Sequence, residues 1–197
     1  MTGVDLPRLL VLTDRHQLPA GRDLVGALAD CVAAGLEAVL LRELDLPGQE
    51  RQALARALGA TGVTVILART WLPGAAAVHL AAAQSPHDAG AAPFHGRSCH
   101  DDHEIRRAVA GGASYLTISP VAASASKPGY GPILGEDGVR RAVALAGEVP
   151  VFALGGVKVQ NAAAMRAAGA HGVAVMGAVM RAPDPADVVE RVLGEAR

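Results

Sequence analysis

Residues 149–179 read VPVFALGGVKVQNAAAMRAAGAHGVAVMGAV. Val151 to Leu154 is a short apolar run, the pattern of a strand buried on both faces. Gly155 and Gly156 stop it. A helical period then runs through Val159, Ala162, Met165 and Ala168, and Gly169 is placed to close the helix. Val173 to Val175 is a second buried run, and it ends near Gly177. The stretch therefore predicts strand, glycine turn, helix, strand, glycine turn.

Two consecutive parallel strands ending in glycine turns match the last two units of a (β/α)8 barrel, whose final loops commonly grip phosphate. Glycine lets backbone N–H groups approach an anion closely. A helix N-terminus after the turn adds the positive end of a dipole. The alternative is a pair of ordinary turns that need glycine only for tight geometry, and a lone Gly-Gly does not choose between them.

The upstream chain repeats the same unit. Strands are expected at 8–13, 37–42, 63–67, 77–80, 94–98 and 115–118. Helices are expected at 23–34, with Leu24, Leu28 and Val32 inward and Gly35 closing, at 49–58 with Gly59 as the stop, and at 101–110, 136–146 and 185–196. Residues 70–75 are short and broken by Pro73, and the alanine-rich segment 81–93 has weak periodicity. Eight strands alternating with helical segments predict an α/β fold, a single (β/α)8 TIM barrel domain over residues 1–197.

Composition narrows the function classes. The 197 residues are 51% hydrophobic but only 3% aromatic, which suits tight packing of helices on strands through Ala, Val and Leu. A formal net charge of -1 supplies no basic field for nucleic acid. No apolar run reaches the roughly 18 residues of a membrane span, and no basic-then-apolar leader opens the sequence. Cys31 and Cys99 form neither a disulfide framework nor a metal motif. A reducing, cytoplasmic setting is expected. The apolar residues around Trp71 and Leu72, with the alanine-rich segment, offer either a homodimer surface or a barrel cover.

VLTDR near the start, LLRE after strand 2, VHL at strand 4, GRSCH at strand 5, SPVAASASKPG after strand 6 and ALGGV…VAVMGAV at the end occur in one order along the chain. Together they resemble the thiamin phosphate synthase and thiazole tautomerase (TenI-like) superfamily. The resemblance implies a TIM barrel that serves thiamin biosynthesis and binds a small phosphate ester. On that comparison Arg42, Ser98, Ser124, Ser126, Gly155, Gly156, Met176 and Gly177 are the expected ligand and phosphate-binding residues.

The resemblance also marks departures. Synthases carry Gln-Leu-Arg-Glu-Lys where this chain has Leu40, Leu41, Arg42, Glu43 and Leu44. They carry Asn-Asp-Arg where this chain has Leu67, Ala68 and Arg69, and an acid after strand 4 where it has Ala81, Ala82, Ala83 and Gln84. In the family the two acids hold Mg2+ against a pyrophosphate, and Mg2+ needs hard oxygen donors. Asp14 and Asp45 are the carboxylates that could stand in. These losses favour a metal-independent thiazole phosphate tautomerase, which moves a proton by general acid–base catalysis with no cofactor. Lys127, His79 and His100 are the candidate catalytic groups. The tautomerase histidine of the strand 6 motif aligns with Pro120, a synthase-like residue. His79 reads as either a mouth residue or part of the packed barrel. His100 reads as either a base or a helix-capping residue. His87, His95 and His103 read as surface or helix residues, and Tyr130 as a ring cover or a loop anchor.

Three alternatives stand beside this reading. One is a divergent synthase that joins a pyrimidine pyrophosphate to a thiazole phosphate with Mg2+ as its metal. One is a non-catalytic binder of phosphate ligands. The last is another phosphate-binding barrel, such as an isomerase of amino-acid biosynthesis.

Overall fold

The computed structural model of the chain describes residues 6–124, 129 and 131–196. Eight strands close into one parallel barrel in sequence order: β1 (Leu9–Leu12), β2 (Ala38–Leu41), β3 (Thr64–Ala68), β4 (Ala77–Leu80), β5 (His95–Cys99), β6 (Tyr115–Ile118), β7 (Val151–Leu154) and β8 (Gly172–Val175). The seam closes through β1 and β8, where Leu10 pairs with Ala174. Around the barrel lie α1 (Leu24–Ala33), α2 (Gly48–Gly59), α3 (Asp102–Ala110), α4 (Gly135–Ala146), α5 (Val159–Ala167), α6 (Gly177–Met180) and α7 (Pro185–Glu195).

Apart from the polar β5, the strands are hydrophobic runs because nearly all their residues are buried, alternately toward the barrel axis and toward the helices. Leu10, Leu12, Ala38, Leu40, Ile66, Ala68, Phe152 and Ala174 fill the axis. Leu9, Val11, Val39, Leu41, Val65 and Leu67 face the helical layer. Large and small residues are matched across neighbouring strands at the bottom of the axis. A Cβ on Gly96 would lie 2.1 Å from the Tyr115 ring, and one on Gly172 would lie 2.7 Å from Phe152. The Tyr115 and Phe152 rings meet edge to face, with centroids 5.6 Å apart.

Several boundaries differ from the sequence reading, each for a local reason. No helix joins β3 to β4. Arg69 turns the chain with a left-handed φ of 66°, and Ala76 N–H already bonds back to Val65. The segment after β4 forms a short 310 turn at Pro86–Ala89, opened by a Ser85–Asp88 capping box. The α2 helix runs through Gly59, and the left-handed residue that follows it is Gly62, with φ 93°. In α1 Cys31, rather than Val32, is fully buried. His95 is a half-buried residue of β5, not a surface or helix residue, and its buried Nε2 has no hydrogen-bond partner among the described residues. Trp71 and Leu72 pack on the core, so this apolar stretch covers the barrel. No helix among the described residues is long and apolar enough to cross a membrane.

Candidate active site

A cavity of about 550 Å3 opens at the C-terminal end of the barrel, where (β/α)8 barrels place their functional loops. Arg42, His79, Ser98, His100, Ser124, Gly155, Gly156, Met176 and Gly177 all line it. Ser126 and Lys127, and Tyr130 beside them, lie outside the described residues.

The floor is a polar cluster made by three adjacent strands. His79 on β4 lies with Nδ1 3.0 Å from the Tyr115 hydroxyl and Nε2 2.9 Å from Ser98 Oγ. Thr117 Oγ1 is 3.4 Å from the same Nε2. The ring is 5% exposed. Burial pushes its pKa down to about 3, and the nearby positive charge of Arg42, His95 and Arg97 acts in the same direction. His79 is therefore neutral at physiological pH. It holds Ser98 at the cavity floor and is a poor proton acceptor itself.

His100 follows β5. Its backbone N–H donates to Glu104 Oε2 at 2.7 Å, and its Nδ1 lies 2.9 Å from the same oxygen. Glu104 is in the first turn of α3, whose N-cap Asp101 accepts from Glu104 N–H at 2.8 Å. The ring is thus both part of the helix start and a wall of the cavity.

The glycines divide into two kinds. Gly155 and Gly156 have φ of 87° and 74°, so each needs the left-handed backbone. A Cβ on Gly156 would sit 2.4 Å from the Ala122 carbonyl oxygen. The loop after β6 is laid directly on this turn, with Ala122 N–H donating to Gly155 O at 2.9 Å. Gly177 is not a turn glycine. It opens α6, an element the sequence reading lacked, and the Arg181 guanidinium occupies the place a side chain would take.

Three cations of the wall were not among the expected ligands: Arg69, Lys158 and Arg181. Lys158 is the residue just before α5 in GGVK, so a lysine beside a glycine turn was a usable signal. Arg181 reaches the cavity only because α6 folds it back, and it donates to Gln17 Oε1 in the β1 loop. Gln17 Nε2 in turn donates to Asp14 at 2.5 Å. Arg42 completes the set. Its guanidinium donates to Met176 Sδ at 2.8 Å, and its backbone N–H to Thr13 Oγ1 at 3.0 Å. Leu12, Leu40, Ala68 and Leu154 provide the apolar part of the lining, and exposed Leu44 stands at the rim.

Arg42, Arg69, Lys158 and Arg181 are thus arrayed around one cavity, and no Asp or Glu is among its described lining residues. The acids of the adjacent rim are engaged outside it. Glu43 accepts from Arg15 at 2.8 Å, and Asp45 from Arg15 and His16. That pairing, led by Arg15, holds the Asp45 carboxyl well below its ordinary range. Asp14 caps the 310 turn Arg15–Gln17 through His16 N–H. Mg2+ asks for carboxylate or other hard oxygen donors. No group of three or more His, Cys, Asp or Glu that could hold a metal occurs among the described residues. The side chains present do not fit the ion that the family resemblance implies. They do fit an anion with an apolar ring.

Comparison with known proteins identifies the family. The family model for thiamine monophosphate synthase matches residues 9–179. A putative thiamine-phosphate synthase of Geobacter sulfurreducens is 38% identical over 94% of this chain and 92% of its own length. A thiamine-phosphate synthase of Roseiflexus castenholzii is 32% identical over 91% of this chain and 90% of its own. Among solved structures, thiamine phosphate pyrophosphorylase from Pyrococcus furiosus superposes with a TM-score of 0.82 at 23% identity, covering 96% of this chain and 95% of that one, a likeness of fold. With the family model spanning residues 9–179 and such relatives matching over 90% or more of their length, this chain belongs to the thiamine monophosphate synthase family.

Proposed function

We propose that this protein is a transferase of thiamin biosynthesis that joins a pyrimidine pyrophosphate to a thiazole phosphate, releasing pyrophosphate. The reading rests on one observation above all: four cationic residues, Arg42, Arg69, Lys158 and Arg181, line a single cavity together with apolar residues. Two phosphorylated aromatic substrates bring several negative charges, and that charge peaks on the leaving pyrophosphate. In the reaction the bond between the pyrimidine methylene carbon and the pyrophosphate oxygen breaks, and its electron pair leaves with the oxygen. The thiazole ring nitrogen forms the new C–N bond with its lone pair. No proton has to be removed, so a neutral, weakly basic His79 is compatible with the chemistry. Cavity volume also suits the reading, since ligand sites of roughly 300–1,000 Å3 are typical.

This replaces the tautomerase emphasis of the sequence reading with its synthase alternative. The reasons are the relatives named thiamine-phosphate synthase and the weak basicity of His79. A second reading, proton transfer on a carboxylated thiazole phosphate, keeps support from the His100–Glu104 pair at the cavity wall, where a carboxylate orients an imidazole. The deciding experiment is a steady-state assay on the purified protein. Both phosphorylated substrates should give thiamin phosphate. No thiamin phosphate, with isomerisation of the carboxylated thiazole phosphate instead, would install the second reading.

A further inference from the structure

We infer that this cavity binds a diphosphate through guanidinium and ammonium groups alone, without a divalent cation bridging it to the protein. The inference rests on the proposed function for its substrate class. It goes beyond that reading in saying how the leaving group's charge is met.

The first argument is charge. Arg42, Arg69, Lys158 and Arg181 line the cavity, and no Asp or Glu is among its described lining residues. The residues 125–128 and 130, in the loop after β6, contain no Asp or Glu in the sequence. A divalent ion placed among several monovalent cations is repelled by each, and only carboxylates or the ligand itself could offset that. A diphosphate therefore meets a field already supplied by the protein, and an added Mg2+ ion meets an unfavourable one.

The second argument is the kind of partner each arginine has. The Arg42 guanidinium rests on the Met176 thioether, a weak acceptor, and Arg181 on the neutral amide oxygen of Gln17. Neither of these two contacts is to a carboxylate, in contrast to those of Arg15, which pairs with both Glu43 and Asp45. A phosphate oxygen is the stronger acceptor for such groups, and planar guanidinium matches it with two parallel donors.

The third argument is pre-organisation. Arg42 and Arg181 converge from opposite elements on consecutive residues, Met176 and Gly177. Arg181 is held through Gln17 to Asp14, and the Arg42 backbone through Thr13. The Arg69 backbone is fixed on both sides, its N–H donating to His79 O at 2.8 Å and its carbonyl accepting from Gln84 at 2.9 Å, which anchors the base of an exposed side chain. Side chains already in place lose less entropy on binding.

The test is a calorimetric titration of the whole protein with inorganic pyrophosphate, once in EDTA and once in Mg2+. Stoichiometric binding in EDTA is expected, with no tightening when Mg2+ is added. Arg42→Gln and Arg181→Gln should each weaken it roughly 10- to 100-fold, the size of one charge-assisted hydrogen bond. Melting temperatures of the variants would confirm that they are folded, and Arg42→Lys should recover part of the affinity. Binding that requires Mg2+, or binding in EDTA indifferent to both substitutions, would overturn the inference. The two proposals fail separately. Pyrophosphate bound in EDTA with no thiamin phosphate formed under any condition removes the functional reading and leaves this one. Thiamin phosphate formed only when Mg2+ is present, with pyrophosphate bound only then, does the reverse.

Discussion

His79 Nε2 lies 2.9 Å from Ser98 Oγ, and the same ring reaches back to the Tyr115 hydroxyl at 3.0 Å. Because the imidazole is neutral, one ring nitrogen donates and the other accepts. If the tyrosine donates to Nδ1, then Nε2–H donates to Ser98, and the serine hydroxyl hydrogen is left to turn toward the cavity. A nearly fully buried histidine of the cavity floor thereby sets the polarity of its neighbouring serine.

This geometry fixes a pH dependence. The folded-state pKa of His79 is about 3, against an ordinary 6.5, so the unfolded chain binds this proton more readily than the folded one. Stability from this group is present above about pH 6.5 and is lost as pH falls toward 3, at roughly 1.4 kcal/mol per unit. Between pH 6.5 and 4.5, wild type should lose about 2–3 kcal/mol more than His79→Gln. Urea unfolding at the two pH values measures it. Equal losses would show that His79 is not held neutral.

Gly96 carries the packing beneath that histidine. A Cβ there would lie 2.1–2.6 Å from three Tyr115 ring atoms. Gly96→Ala should cost about 1–3 kcal/mol through overpacking. It should also displace the ring that partners His79, so ligand affinity falls with stability. A variant with an unchanged melting temperature and unchanged affinity would contradict this.

Gly156 tests the phosphate turn. Its φ of 74° and the 2.4 Å approach to Ala122 O leave no room for a side chain. Gly156→Ala should cost at least about 1–3 kcal/mol from backbone strain, and Gly156→Asp should in addition abolish binding of thiazole phosphate by like-charge repulsion. A thermal-shift titration reads both, since ligand bound to the native state raises the melting temperature. A shift by thiazole phosphate surviving in Gly156→Asp would place the phosphate elsewhere.

Both cysteines are buried, and burial pushes each thiol up to about 12. Neither should react with an aromatic disulfide reagent at pH 8 until the chain is unfolded, when both should react together. Rapid titration of either thiol in native buffer would contradict the burial of β5 and α1.

The barrel was legible in the sequence because every strand except the polar β5 is a short apolar run, and because Gly155, Gly156 and Gly169 mark where runs stop. The cavity wall was less so. Arg42, Ser98 and Met176 sit at strand ends, where periodicity and family motifs both point. Arg181 lies beyond a four-residue helix that no period of that length announces, and its approach to Gly177 exists only in three dimensions. Arg69 looked like the remnant of a lost motif, yet its left-handed backbone turns the chain between β3 and β4. His95 falls inside the strand expected at 94–98, and it was read as a surface or helix residue because its residue type suggests exposure, whereas β5 half-buries it.

The central claim is that this cavity couples two phosphorylated rings. Phosphorus NMR on the protein mixed with the pyrimidine pyrophosphate and the thiazole phosphate reads it directly. The account predicts one pyrophosphate released for each thiamin phosphate formed. Pyrophosphate ester and thiazole phosphate signals that remain unchanged, or release of pyrophosphate with no thiamin phosphate, would contradict it.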